Sequence, residues 1–548
     1  MSGPRTISAA RGTRLRCRGW RQEGLLRMLE NVLEVGERPE DLVVYASLAK
    51  AARNWDSFDR LVAALKDIRD DQTLVVQSGK PIGVFASQEM APVVVMAAAN
   101  VVGRYATPEN FYALAERGLT MWGGLTAGDW QYIGSQGVLQ GIYEVLSAVA
   151  RDHFDGSLAG RLVLTAGLGG MGSAQPVAIR MLGAVGLVVE VDEPKLRRAM
   201  KRGDLEATFE DLDAALAAVG AARKEGRSTT VGVLANAADV FSELAARNIT
   251  PDVVTDLTAA HDALYGYVPQ GLGVEEWIVL RNADPAEVTV MARQSMAVQV
   301  NAMLTFKDRG AITFENGNNL RVQAAQAGVT RAFAIDGFSE RYIRPLFCRG
   351  IGPFRWVALS GETADLARVD DLVARLFPER PEVGAWIDLA RKHVAVQGLP
   401  ARSCWLGHGE RSRLATAVNA MVASGELTAP VLFTRDHFDS GGMTHPHIGT
   451  EHMADGSEAI SDWPLLDALL MCSAGADLVA IHAGGAGYSG YMQSAGVTIV
   501  ADGTRAAAER LLLGLDADTG LGVLRYADAG YEVAAHTAKV AGLGLAWT

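Results

Sequence analysis

Apolar residues recur at helical spacing over 25–34 (LLRMLENVLE) and 59–66 (DRLVAALK), while the short apolar runs 74–76 and 93–96 read as strands. From residue 161 the pattern changes to alternating units. Strand 161–166 leads into a helix over 172–182, a second strand at 187–191, a polar helix to about 219 and a third strand at 229–234. Short runs at 253–255 and 276–280 continue the series. Strand alternating with helix predicts a doubly wound parallel sheet. Beyond residue 350 the pattern returns to mixed helix and loop, with helices at 366–376 and 411–420 and two strands flanking a Gly-rich loop in 477–503. The segment 121–141 (MWGGLTAGDWQYIGSQGVLQG) is so rich in glycine that it implies either tight backbone packing or ligand approach, and not an ordinary helix.

A chain of 548 residues exceeds one ordinary hydrophobic core, so two or three domains are expected. The net charge of -12 gives no attractive field for a polyanion, which argues against nucleic acid as a partner. No apolar run is long enough to span a membrane, and the Arg-rich first twenty residues lack the apolar stretch of a secretory signal. Cys17, Cys348, Cys404 and Cys472 are far apart and fit neither a zinc module nor a redox pair. Free thiols and a cytoplasmic location are the expectation.

The chemistry begins at Gly167, Gly169 and Gly172, which have G-x-G-x-x-G spacing at a strand-to-helix switch. There the first glycine makes the tight turn, the second clears room for a pyrophosphate, and the third lets helix and strand approach. Glu190 closes the next strand, where a carboxylate accepts hydrogen bonds from an adenosine ribose and repels a 2'-phosphate. Together they predict NAD. Hydride transfer is the default chemistry of such a cofactor, so a dehydrogenase stands as one reading and a nonenzymatic NAD-binding protein as another.

Several segments carry a resemblance to a known family: ARNWDSFD from Ala52, TAGDWQYIGSQGVLQGIYE from Thr126, TAGLGGMGSAQP from Thr165, NAADV from Asn236 and DLTAAHD from Asp256. YIRPLFCRGIGPFRW from Tyr342, GLPARSCW from Gly398, RDHFDSG from Arg435, SDWPLLDALL from Ser461 and RYADAGYE from Arg525 extend it over essentially the whole chain. These resemble urocanase, the urocanate hydratase family. The resemblance implies an α/β fold in which a doubly wound, Rossmann-like NAD domain (134–345) is inserted between segments 1–133 and 346–548 that form a mixed α/β core. It also implies a homodimer, an imidazolyl acrylate substrate, and NAD+ that is bound tightly and not net-reduced. In that chemistry the nicotinamide serves as an electrophile for the imidazole, a proton goes to the side chain, and water adds to the ring.

Carried over by motif, cofactor contacts fall on Gly170, Met171, Gly172, Glu190, Asn236, Ala237, Leu257, Thr258, Ala259, Ala260, His261, Tyr267, Val268 and Ala486, with Lys195 where the family usually has Arg. The family's active-site thiol falls on Cys404, read as a pocket-lining residue. Asp439 is the candidate acid/base with Asp436 as runner-up, and Arg355 is the candidate clamp for the substrate carboxylate. His445, His447 and His452 lack the regularity of a metal site, and no metal is expected.

Departures from the family collect where ligands belong. Ala46-Ser47 replaces the usual Gly-Gly, Gly124 stands for a Gln, Asn316 for a Tyr, and His408 for an apolar residue. A family run of His-His-Gly-Gly-Gly is His482-Ala483-Gly484-Gly485-Ala486, and Ser-Val-Ala-Ser-Pro is Gly442-Met443-Thr444-His445-Pro446. Losing side chains at Gly124 and Asn316 is expected to enlarge the cavity. With Tyr132, His408, Met443, His445 and Tyr488 as further wall residues, the expectation is a ring-modified urocanate. S-methyl thiourocanate from thiohistidine betaine (ergothioneine) degradation leads, and ordinary urocanate is the alternative.

Overall fold

The structure, a computed structural model, describes residues 5–544. Its contacts divide the chain into two units: residues up to Gly137 join those from Arg344 onward, and Val138–Ile343 form the other.

The central unit is built on a seven-stranded sheet whose pairings are all parallel. From edge to edge the strands are Asp336–Gly337, Ile312–Glu315, Val253–Val254, Leu162–Ala166, Val185–Glu190, Thr229–Leu234 and Ala207–Phe209. Leu162–Ala166 and Val185–Glu190 are buried along their whole length, as parallel strands covered on both faces must be. The chain reverses its direction of travel across the sheet at Leu162–Ala166, so a switch point lies between that strand and Val253–Val254. The doubly wound expectation is met there.

Two details of the strand pattern are corrected. Residues 276–280 lie inside the helix Val274–Ala283, where Glu276 Oε2 accepts from Gly273 N at 3.0 Å and only Trp277 is buried. An apolar run in an exposed helix had mimicked a strand, and Ile312–Glu315 takes that place in the sheet. The polar helix to about 219 is instead Glu193–Arg202, ended by Gly203 at φ +75°, then strand Ala207–Phe209 and helix Leu212–Glu225.

The other unit holds a nine-stranded mixed sheet. Eight strands run in the order Ala401–Ser403, Phe354–Ala358, Val431–Arg435, Gln493–Ala501, Leu478–Ala483, Val94–Ala98, Gln72–Gln77 and Lys80–Ala86. Met443–Thr444 pairs beside Gln493–Ala501. The two ends of the chain meet where Leu478–Ala483 pairs in parallel with Val94–Ala98. Buried polar links reinforce the seam: Asp477 accepts from Arg21 Nε at 2.6 Å and from Val500 N at 2.6 Å. The glycine-rich segment is tight backbone packing over most of its length, and its last part belongs to the helix Gln136–His153, contrary to the expectation of no helix.

Asp477 is fully buried, and Arg510 approaches it at 3.5 Å in addition to Arg21. Asp477→Ala therefore strands two buried guanidinium groups and is expected to cost about 3–5 kcal/mol, read as a lowered denaturation midpoint.

Candidate functional site

In the central unit the glycine turn and the 257–261 loop follow the two strands flanking the switch point, and Glu190 and Asn236 follow the next two strands; Ala486, also expected at the cofactor, lies in the other unit. The turn after Leu162–Ala166 is shaped by close backbone approach. Gly167 has φ +89°, and a Cβ there would fall on the Leu257 carbonyl; one at Gly172 would fall on the Gly167 carbonyl. Gln175 ties the turn to the strand, accepting from Thr165 Oγ1 at 2.5 Å and donating to the Ala166 and Gly167 carbonyls at 3.3 Å each. Glu190 is buried, and its carboxylate accepts from Leu168 N at 2.7 Å and Asp192 N at 3.0 Å. The Lys195 ammonium lies 3.9 Å from Glu190 and 3.6 Å from Asp192.

Leu257 N donates to the Ala166 carbonyl at 2.9 Å, which lays the 257–261 loop beside the turn. Asn236 caps the helix Ala237–Ala246 by accepting from Ala238 N and donates to the Val268 carbonyl, both at 2.9 Å. A buried network missing from the expected residues organises these pieces. Asp256 accepts from Gln299 Nε2 at 2.8 Å, from Thr258 Oγ1 at 2.7 Å and from Asn318 Nδ2, while Tyr267 donates to Gln299 Oε1 at 2.7 Å. Burial pushes the Asp256 carboxyl up to about 6. Asp256 stands inside the quoted motif DLTAAHD, and Asn318 lies two residues after the departure at Asn316; Gln299 lies mid-helix and carries no local signal.

In the core unit, Arg355 on strand Phe354–Ala358 is nearly fully buried and ion-paired with Asp436. Its Nη1 donates to the Gln131 carbonyl at 3.3 Å and its Nη2 to the Gly137 carbonyl at 3.2 Å. The fork expected to clamp a substrate is thus engaged by protein, leaving Nε without a hydrogen-bond partner. Asp439 is held by Arg411 (Nη1 at 2.6 Å, Nη2 at 3.3 Å) and by Ser440 N at 2.8 Å. It belongs to a buried array in which Arg435 also joins Asp467 and Asp518. Two arginines face three aspartates, and burial raises Asp467 well above the usual carboxylate range, so a proton balances the charge. The Asp436 carboxylate makes no ion pair with that array among the described residues: besides Arg355 it accepts from Phe438 N at 3.2 Å, while the Asp436 backbone carbonyl accepts from Arg435 Nη1 at 3.2 Å.

Cys404 is a fully buried free thiol whose backbone N donates to the Phe354 carbonyl at 2.8 Å. The wall candidates divide into groups. The His445 ring lies 5.5 Å from Tyr488, which is 5.8 Å from Trp122, and Met443 is buried two residues before His445. The Tyr132 ring lies 4.9 Å from that of Tyr45, tilted by 39°, and the Tyr45 hydroxyl accepts from Leu125 N and Thr126 N at 2.8 Å each. His408 is half-buried and meets Thr519 Oγ1 at 2.9 Å, so no contact joins it to either wall group. Asn316 lines a small cavity inside the central unit with Val145, Thr255 and Phe314. A cluster that sequence reasoning passed over, Asp129, His437 and His482, is buried in the core unit within 4.8 Å.

Three family models cover the chain in succession: the urocanase N-terminal domain over residues 7–131, the urocanase Rossmann-like domain over 134–342, and the urocanase C-terminal domain over 345–540. The chain belongs to the urocanase family. It is 52% identical over 542 residues to S-methyl thiourocanate hydratase of Variovorax sp. (strain JCM 16519 / RA8), covering 99% of this chain and 98% of that protein. This urocanase is accordingly a hydro-lyase that uses NAD+. The central unit fits that group: its turn is glycine where a Cβ would meet backbone, and a buried carboxylate closes the neighbouring strand.

Family membership recasts the departures. Gly124 has φ +61°, and a Cβ there would lie 2.8 Å from Ala49 Cβ and 2.9 Å from the Tyr45 hydroxyl. The expectation that its missing side chain enlarges a cavity is therefore corrected, because Tyr45 and Ala49 occupy that space. Ala46, Ser47 and Ala486, which replace glycines, have φ of +50°, +66° and +48°. They hold the left-handed conformation that glycine takes most readily. Gly124→Gln is expected to destabilise this urocanase by about 2–3 kcal/mol through steric overlap and left-handed strain, measurable by thermal or urea unfolding.

Proposed function

We propose that this urocanase hydrates S-methyl thiourocanate, adding one proton to the acrylate side chain and one hydroxyl to the imidazole ring with no net redox change. The observation that carries this is 52% identity over nearly the full length of both chains to a protein of that name. The side chains gathered at the rebuilt positions support it. Met443 is polarisable and buried, and Tyr488 and Trp122 add aromatic faces, the surroundings a thioether favours.

NAD+, bound tightly and recovered unchanged, supplies an electron-accepting ring. Residues 167–172, Glu190, Lys195, Asn236, the 257–261 loop, Tyr267 and Val268 of the central unit would hold it. Asp436 serves as acid/base in place of Asp439. Asp439 is fixed by two arginines within a closed array, whereas Asp436 has one ion-pair partner among the described residues. Arg355 orients Asp436, its Nε remaining for a substrate oxygen. Cys404 lines the pocket. A homodimer in the cytoplasm completes the proposal; the exposed Leu466 and Leu469 of helix Asp462–Ala474 offer a face for the second copy.

Steady-state rates with S-methyl thiourocanate, urocanate and an N-methylated urocanate test the substrate. The highest kcat/KM belongs to S-methyl thiourocanate, and a preference for plain urocanate would falsify the reading. Asp436→Asn is expected to lower kcat about 10²- to 10⁴-fold with bound NAD+ retained, while Asp439→Asn acts first on stability. Free reduced cofactor accumulating during turnover would instead mark a dehydrogenase.

A further inference from the structure

The Asp129, His437 and His482 side chains form a hydrogen-bonded cluster whose proton positions follow from its acceptors. Ser494 Oγ donates its single hydrogen to the His482 carbonyl at 3.2 Å, since a carbonyl only accepts. His437 Nδ1, 2.8 Å from that same Oγ, must therefore be the donor in its contact and carries a hydrogen. Nδ1 of His482 lies 3.2 Å from the Gly124 carbonyl and carries one for the same reason. His437 Nε2 meets Asp129 Oδ2 at 2.5 Å, and one proton lies between them.

Two observations locate it. Asp129 Oδ1 is buried without a hydrogen-bond partner, a large cost for an ionised carboxylate and a small one for the carbonyl oxygen of a neutral acid. The His437 and His482 rings also stack 4.9 Å apart at 27°, an arrangement suited to two neutral imidazoles. Glycines seal the cluster. A Cβ at Gly496 would fall on Asp129 Oδ2 and His437 Nε2, and one at Gly123 would lie 2.6 Å from His482 Cε1.

We propose that Asp129 is held as a neutral carboxylic acid donating from Oδ2 to a neutral His437, and that this buried bond positions the adjacent Asp436. The second half rests on Asp436 being the acid/base. Besides its hydrogen-bonded partner His437, the titratable and charged groups that act on Asp129 are His482, Asp436 and Arg355, and those that act on His437 are Arg435, Asp436 and Arg355. Burial pushes Asp129 up to about 7 and His437 and His482 down to about 3 and about 4, in keeping with three neutral groups. Asp129 is thus a positioning residue. It joins the TAGDW turn to the RDHFDSG loop through a bond whose strength depends on a held proton.

Selective ¹⁵N-imidazole labelling of the holoenzyme, which has 10 histidines, reads the protonation directly without turnover. The His437 signal, assigned by its loss in His437→Gln, is expected in the neutral Nδ1–H form at neutral pH; an imidazolium signal overturns the proposal. In Asp129→Asn the amide donates to Nε2 as the acid does, so this variant keeps the neutral His437 signal and most of the turnover that Asp129→Ala loses. Loss of turnover in Asp129→Asn as deep as in Asp129→Ala overturns the neutral-donor role.

The pH dependence has a definite sign. A carboxyl raised in the folded state contributes stability that is complete below its unfolded pKa of about 3.9 and is lost as pH rises through about 7. The melting temperature of Asp129→Asn should therefore gain on the parent between about pH 4 and about pH 7, and a difference that stays flat over that range overturns the assignment. Unchanged kcat in Asp129→Ala with the neutral His437 signal intact overturns the positioning half alone. The labelling result stands whether or not Asp436 proves to be the acid/base.

Discussion

The parallel pairing of Val94–Ala98 with Leu478–Ala483 is the constraint on which the core unit depends. A parallel pair cannot be closed by a short turn, so a long stretch of chain must separate its two strands. Here that stretch includes the entire central unit. The pairing brings the glycine-rich segment after Val94–Ala98 against residues some 350 positions later, and the His482–Gly124 hydrogen bond is one direct result. Side chains that converge in the core unit consequently come from both chain ends, and no local window of sequence contains them.

That topology explains which features were legible beforehand. The dinucleotide turn is a local device: strand, glycines, helix start and Glu190 lie within a short stretch whose spacing carries its own chemistry. The nine-stranded sheet is not local. Phe354–Ala358 and Val431–Arg435 were not predicted because fully buried strands show no alternation, and Lys80–Ala86, the edge strand paired with its neighbour Gln72–Gln77, because it is largely exposed and buries no apolar face. Residues 276–280 failed in the opposite direction, an apolar run that the Gly273–Glu276 cap fixes as helix. The quoted motifs contained Asp129 and His437 without marking them, since their significance lies in a contact across 308 positions.

Substitution at the glycines is also clearer in three dimensions. Ala46, Ser47 and Ala486 keep left-handed backbone although they carry a Cβ, so the surroundings fix the conformation and each position bears the strain. A loop that retains its path while gaining side-chain atoms changes the surface it presents without moving the backbone that sets the geometry. Gly124 illustrates the reverse case. The side chain expected there is absent, but Tyr45 and Ala49 already fill the space, so reading a smaller residue as a larger pocket confused composition with volume.

The two aspartates of RDHFDSG show why a motif alone could not assign a proton carrier. Both are buried and both face arginine, but the arginines differ in what else they serve. Around Asp439, Arg411 and Arg435 form an array with Asp467 and Asp518 whose charges balance once Asp467 is protonated. Asp439 is therefore one of several partners that Arg411 and Arg435 hold together. Asp436 answers to Arg355, whose Nη1 and Nη2 also bind backbone carbonyls of the glycine-rich segment. Protonating Asp436 leaves that guanidinium still anchored by those carbonyls, so the change is confined to one bond. The proposed assignment of the acid/base to Asp436 rests on that difference between the two arginine environments.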